Sequence, residues 1–224
     1  MFVFIFIYGL VFGSFYNVVA LRGLSKENLL KPSHCNKCGV RLKAINLIPV
    51  LSYIIQKGKC HNCNEKIDWI YPVFELITGI SFALIYQTYG LSIEFFIQVI
   101  LISALIISSL TDLKKMEVLD SVVIISCIAI FLLRILNKEL LGMYLISSLV
   151  YFIVFFIINQ FELIGGGDVK LIAVIALGLG WYNTLIVLLI SSVTAIAYFI
   201  FKRQKQFKYV PFLLIGTLLT TIIF

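Results

Sequence analysis

With 224 residues, 61% of them hydrophobic and 13% charged, and a mean hydropathy of +1.07, the chain lies outside the composition of a soluble globular domain. Lipid must be the solvent for most of it, and a transmembrane helix needs about 20 apolar residues, which leaves room for roughly seven to nine crossings and one polar insert. The net charge of +7 comes from basic residues scattered in short segments between apolar runs, so it reads as a topology signal and excludes a nucleic-acid surface.

The first apolar run, 2–21, has no Lys or Arg before it and no small-residue cleavage site after it, and is expected to be a retained anchor rather than a removable signal peptide. Gly9 and Gly13 make a small-residue stripe on it, suited to close helix packing. Further apolar runs at 72–90, 92–111, 118–136, 140–159, 169–181, 184–201 and 209–224 predict seven more helices. The expected fold is therefore all-α: a polytopic membrane bundle of about eight transmembrane helices carrying a small cytosolic zinc-binding insert. The sixth helix is short, preceded by Gly165, Gly166 and Gly167 and containing Gly178 and Gly180, so it is expected to be tilted, broken or partly inserted. Three parts follow: 1–21 as the first transmembrane helix, 22–71 as the cytosolic four-cysteine insert, and 72–224 as the helical domain in the membrane.

Lys and Arg collect on the cytoplasmic side of short loops. With the N-terminus outside, sixteen of the eighteen basic residues fall in cytosolic segments, and only Arg134 and Lys138 fall outside. That asymmetry predicts an extracellular N-terminus, a cytosolic 22–71 and an extracellular C-terminus.

Four of the five cysteines form Cys35-x2-Cys38 and Cys60-x2-Cys63, with 21 residues between the pairs. This spacing can place four thiolates around one tetrahedral zinc ion, with Gly39 and Gly58 permitting tight turns beside each pair. Two disulfides are the competing reading, disfavoured in a reducing cytosol. A site filled by four cysteines has no open position, so its role is structural, folding a segment too poor in apolar residues for a core of its own. His34 and His61 are reserve ligands, expected to face solvent. Cys127, alone in the fourth helix, reads as apolar filler, and no histidine lies outside the insert to activate a serine or cysteine.

Ionisable groups at membrane depth are functional candidates by default. Asp112 closes the third helix in Ser108-Ser109-Leu110-Thr111-Asp112, and Asp168 opens the sixth after the triple glycine. Two helices separate them, and an even number of crossings returns the chain to the side it left, so both belong to the cytosolic boundary. Two adjacent carboxylates that share one proton can activate water against a peptide carbonyl. Glycines beside Asp168 would let an extended substrate come close. The bland reading makes both aspartates helix caps paired with Lys114, Lys115 or Lys170. Asp120 is the first substitute for Asp112.

These residues resemble the type IV prepilin peptidase family, leader peptidases with N-methyltransferase activity, along nearly the whole chain. Gly13-Ser14-Phe15-Tyr16-Asn17-Val18-Val19 with Arg22 is similar to the family's opening signature. Pro32 to Cys38, Ile48 to Tyr53 and Gly58 to Cys63 resemble its cysteine insert, and Tyr71-Pro72 with Glu75 resembles the start of its second helix. Gly165-Gly166-Gly167-Asp168-Val169-Lys170 resembles its glycine-aspartate motif, and Asp112 its other catalytic aspartate. Val118-Leu119 before Asp120, Ala44-Ile45-Asn46 and Ile70 depart from the usual pattern. The resemblance implies an aspartic endopeptidase that removes the short basic leader of prepilin-like or pseudopilin precursors after a glycine, at the cytosolic face. It also implies methylation of the new N-terminal amine by S-adenosylmethionine, for which no familiar glycine-rich nucleotide loop is visible. The expected partners are those precursors and the lipid bilayer, with no nucleic acid. A proton- or cation-coupled transporter using the same carboxylates is the alternative, and a noncatalytic zinc-bearing scaffold the third reading.

Overall fold

The computed structural model describes residues 1–35, 37–137, 141–202 and 208–223. Asn36 of the first cysteine pair, the basic residues Lys138, Arg203 and Lys205, Leu140 at the start of the fifth apolar run and Phe224 at the end of the last lie outside them. The chain divides into two compact units, Met1–Tyr86 and Gln87–Phe224.

In the first unit, α1 (Phe2–Ser25) is followed by a 3-10 turn (Ala44–Leu47), the short α2 (Leu51–Ile55) and most of α3 (Ile70–Tyr89). The Gly9/Gly13 stripe has a definite use. A Cβ on Gly9 would stand 2.7 Å from the Cα of Gly79, and one on Gly13 would stand 2.8 Å from the Cα of Glu75. Their absence lets the backbones of α1 and α3 touch. Beyond the apolar run α1 continues through Arg22, which is buried. Its Nη1 donates to the carbonyls of Asn28, Leu29 and Lys31 at 3.2, 2.8 and 2.5 Å, so this charge ties down the turn by which the chain enters the insert.

The second unit holds α4 (Ile93–Lys115), α5 (Asp120–Leu136), α6 (Leu141–Asn159), α7 (Gly166–Lys202) and α8 (Val210–Ile223). α4 is the central helix, buried along most of its length from Phe95 to Asp112, with α5, α7 and α8 against it. α6 lies on α7 and buries only Ser147 and Tyr151, leaving Ile146, Leu149, Ile153 and Phe156 on the outside, as suits a helix whose other face meets lipid. Hydroxyls inside the helices satisfy themselves on the preceding turn: Ser126 on Val122 at 2.8 Å, Ser147 on Met143 at 2.7 Å and Thr217 on Leu213 at 2.8 Å.

The eight apolar runs correspond to α1, α3, α4, α5, α6, the two parts of α7, and α8. The expected break in the sixth run falls at its end. Gly180, at φ 76° and ψ −175°, interrupts α7, in a conformation open to glycine and costly for other residues. Backbone groups freed by such a break need partners in a membrane. Arg134 donates to the carbonyl of Gly178, and the Tyr151 hydroxyl donates to that of Trp181 at 3.1 Å. Arg134, read above as a loop charge, is 2% exposed. It pairs with Glu94 and stacks 3.8 Å over the Tyr144 ring. The Arg–Glu pair satisfies both charges internally, which is the condition for burying either.

Five helices among the described residues are long and apolar enough to cross a membrane by length and composition, counting α7 as a single apolar stretch. α5 and α8, at 17 and 14 residues, are shorter. The protein is an all-helical membrane protein.

Candidate active site and metal centre

Asp112 sits in the last turn of α4, where the left-handed Met116 (φ 56°) ends the helix by returning its N–H to the Asp112 carbonyl at 3.0 Å. The side chain is buried and accepts the backbone N–H of Val210, a first-turn amide of α8 with no partner inside its own helix. Pro211, next in that turn, brings no N–H to satisfy. Lys208 faces the same carboxylate while its Nζ donates to the Leu113 carbonyl at 2.5 Å. The Asp112 Oδ2 is buried and has no hydrogen-bond partner. Ser108 and Ser109, one turn earlier, also keep buried hydroxyls without one.

Asp168 stands in the first turn of α7, half-buried, and accepts the N–H of Gly165. Its own N–H returns to the Gly165 carbonyl at 3.0 Å. The Asp112 and Asp168 carboxylates are near enough for their charges to act on each other, and Tyr209 stands beside Asp168. An acceptor without a partner beside a second carboxylate is the arrangement in which one shared proton replaces a repulsion. α4 and α7, distant in the chain, thus bring the two expected residues together at one end of the second unit.

One competing partner, Lys170, is engaged elsewhere. Lys170 donates to Asp120 at 2.5 Å in an exposed pair, which carries little stability. Glu117 and Glu162 are exposed. The three glycines differ in purpose. A Cβ on Gly167 would stand 2.6 Å from Cγ2 of Val118, whereas one on Gly166 would meet nothing within 4 Å. Gly167 is therefore required by the close approach of the segment between α4 and α5, a need the sequence reading assigned to substrate instead.

In the insert, Cys35, Cys38, Cys60 and Cys63 place one sulfur each within 4.8 Å of all the others. The two pairs are built alike. Cys35 takes an N–H bond to the Val40 carbonyl at 3.0 Å and Cys60 to that of Glu65 at 2.8 Å, while Gly39 and Asn64 return their N–H to Cys35 and Cys60 at 2.9 and 3.0 Å. Both Gly39 and Asn64 have positive φ, 69° and 56°. Asn64 is therefore the second knuckle's counterpart of Gly39, a position asparagine tolerates. Gly58 also has positive φ, 68°, in the turn before the second pair, and it lies under the Tyr53 hydroxyl, 2.9 Å from its would-be Cβ.

The donor set fits a zinc ion. Four sulfurs about 2.3 Å from one tetrahedral ion lie about 3.8 Å apart, and Cys35 Sγ is 3.8 Å from Cys63 Sγ. The N–H of Val40 and the side-chain amide of Asn62 hold the Cys38 thiol down at about 6. At Cys63 the Glu65 N–H favours the thiolate, yet burial and three neighbouring sulfurs push the thiol up to about 12. One thiolate forms readily there, and all four need a cation. His34 turns its Nδ1 to the Pro32 carbonyl at 3.2 Å and His61 is exposed. Neither joins the cluster.

Ser14, Asn17 and Glu75, named above only through the family resemblance, form a polar wall in the first unit. Glu75 is buried; its Oε2 accepts the Val50 N–H at 2.7 Å, and its carboxylate also accepts the Ser14 hydroxyl. That N–H belongs to a residue at φ 60°, an uncommon conformation for a β-branched side chain.

The profile of the bacterial peptidase A24 N-terminal domain matches residues 7–89, and that of the type IV leader peptidase family matches residues 99–200. The chain is 35% identical over 180 residues to the prepilin leader peptidase/N-methyltransferase of Bacillus subtilis (strain 168), covering 79% of this chain and 73% of that one. It is 31% identical over 199 residues to the protein of the same description in Myxococcus xanthus (strain DK1622), covering 85% of this chain and 59% of the relative. With that of Aeromonas salmonicida (strain A449) it shares 28% identity over 246 residues, 93% of this chain and 84% of the other. No solved structure matches the chain significantly.

Proposed function

The chain belongs to the type IV leader peptidase family, and we propose that it is an aspartic endopeptidase that cuts the basic leader from prepilin-like or pseudopilin precursors at the cytosolic face of the membrane, using Asp112 and Asp168. The observation that carries this reading is the meeting of those two carboxylates, from the end of α4 and the start of α7, with the buried Asp112 Oδ2 left without a partner.

The ionised member of the pair takes a proton from water as the water oxygen attacks the scissile carbonyl. The protonated member donates to the carbonyl oxygen, and a proton then passes to the departing amine. Each carboxylate faces the other and takes one backbone N–H, Asp112 from Val210 and Asp168 from Gly165, and Asp112 has in addition Lys208 to hold a negative charge. That contrast supports Asp112 as base and Asp168 as acid.

The loop charges support eight crossings with both termini extracellular and 22–71 in the cytosol, a division into 1–21, 22–71 and 72–224, and zinc at the four cysteines as a structural ion. The names of the relatives support methylation of the new N-terminus by S-adenosylmethionine. The peptidase-family match weighs against a transporter.

The test uses purified protein in detergent with a prepilin-like substrate. Asp112→Asn and Asp168→Asn should each lower cleavage by at least about a thousandfold. Cleavage unchanged in both variants would remove the two aspartates from the chemistry.

A further inference from the structure

The insert carries an apolar face that water solvates poorly. Leu51, Ile54 and Ile55 recur at helical spacing on α2 and are 57, 63 and 72% exposed. The 3-10 turn packs on α2, and Ile45, Leu47 and Ile48 in and after it are exposed as well. Six such side chains within eleven residues mark an interaction surface rather than a solvated loop. α2 is also held at the depth of the membrane helices. The N–H of Val50, just before it, is bonded to Glu75 at 2.7 Å. Glu75 lies about 8 Å along α3, its Cα opposite Gly13 inside the apolar run of α1.

Among the 3-10 turn, α2 and the second cysteine knuckle lies a cavity of about 390 Å³. Asn46, Ser52 and Gln56 bring hydrogen-bond donors to it, and Lys57 and Lys59 bring positive charge. Ile45 and Ile55 of the apolar face line it too. Lys43, exposed, precedes the 3-10 turn at the other end of that face. Residues 28–64 hold six Lys and Arg and no Asp or Glu, so this surface repels a basic leader and complements phosphate. We propose that α2 and the 3-10 turn lie in the polar boundary of the bilayer, on the leaflet where α1 ends and α3 begins. Their apolar side chains enter among the acyl chains, and the cavity takes the phosphate headgroup of an anionic lipid.

The arrangement has the parts of an interfacial helix: an apolar face to bury at the boundary of headgroups and acyl chains, and lysines at its edge to meet anionic phosphate. Burial of the isoleucines and leucines removes them from water, while the two lysines select the lipid by charge. The second knuckle, which shares Lys59 and Cys60 with the cavity, is then held against the membrane surface.

The test uses the full-length protein in nanodiscs of phosphatidylglycerol and phosphatidylcholine in equal parts, with bromine on the acyl chains of one lipid or the other. Trp69→Phe and Trp181→Phe combined with Ile54→Trp leave a single indole, on α2. Brominated phosphatidylglycerol should quench its fluorescence at least about threefold more strongly than brominated phosphatidylcholine, a preference within reach of two lysines that each favour an anionic surface about fivefold. Aqueous acrylamide should leave the indole unquenched. Adding Lys57→Gln with Lys59→Gln should make the two lipids equal. Adding Leu51→Asn with Ile55→Asn should open the indole to acrylamide, which separates the pull of the native face from that of the added ring. Zinc content and melting temperature report whether each variant is folded. Equal quenching by both lipids in the reporter chain would overturn the proposal. So would quenching by acrylamide alone, which leaves the face in water, or by neither agent, which covers it with protein. A lipid preference that survives in a folded lysine variant, or an indole still shielded in a folded asparagine variant, has the same consequence.

Discussion

The backbone N–H of Val210, which opens α8, is donated to the carboxylate of Asp112, which closes α4. One contact thereby satisfies a first-turn amide of one helix and orients an acid at the end of another. Lys208, two residues earlier, reaches the same turn of α4 through the Leu113 carbonyl. Asp112 is thus positioned by the segment leading into α8 as well as by its own helix.

Lys208 should therefore be a positioning residue for cleavage. Lys208→Met should lower kcat about tenfold with KM for the precursor little changed, and Lys208→Arg should recover most of it, as expected for one charge-assisted contact to an acid that reacts rather than binds. Steady-state kinetics on all three proteins makes the comparison, and equal loss in the Met and Arg variants would argue for a purely steric role.

Gly167 and Gly166 should respond in opposite ways. A methyl at 167 would collide with Val118, 2.6 Å from its Cγ2, whereas 166 opens onto free space. Gly167→Ala should cost about 1–3 kcal/mol and be partly rescued by Val118→Ala. Gly166→Ala should be neutral or slightly stabilising, since alanine is the better helix former by about 1 kcal/mol. Thermal unfolding in detergent measures both, and cleavage rates show whether either glycine also serves the substrate.

Removing the buried Arg134 from its pair with the part-exposed Glu94 should be severe. Arg134 also holds the Gly178 carbonyl beside the break at Gly180 and lies over Tyr144, so Arg134→Met should cost about 3–5 kcal/mol. The double variant Arg134→Met, Glu94→Leu should recover little of that loss, because Glu94 is a quarter exposed and keeps the Asn137 amide at 3.0 Å when Arg134 is gone. A double-mutant cycle on melting temperatures gives the coupling.

The cysteine cluster should carry one zinc ion per chain, measured on freshly purified, reduced protein. Cys35→Ser with Cys38→Ser should release the metal and lower the yield of folded protein. Acidification should also release it, because each thiol must lose its proton to bind and the Cys63 thiol, at about 12, is the hardest to ionise. Metal content measured against pH should fall as pH falls. A chain that never contains zinc would leave the knuckles to hydrogen bonds alone.

The apolar runs were legible because a helix in lipid must satisfy every backbone group within itself, which leaves composition as a direct record of the span. The four cysteines were legible because spacing alone limits what two short turns can hold. Arg134 was misread as a loop charge because its partner Glu94 is 40 residues away and nothing local announces their pairing. Asn64 escaped notice because its left-handed backbone follows from the knuckle it closes, a conformation asparagine adopts without advertising it. The purpose of Gly167 was missed because Val118 approaches it only in the folded chain.

By itself the sequence determined that this is a helical membrane protein with a four-thiol insert, and it raised the expectation that an even number of helices returns two acids to one side. Those properties follow from hydrophobic length, residue spacing and parity, which are written along the chain. The tertiary structure alone decided that Val210 and Lys208 attend Asp112, that Gly180 is where α7 breaks, and that Asn17 and Glu75 line a shared cavity. Each of these depends on which backbone amide or side chain arrives opposite another after packing, and contacts across tens of residues leave no periodic trace.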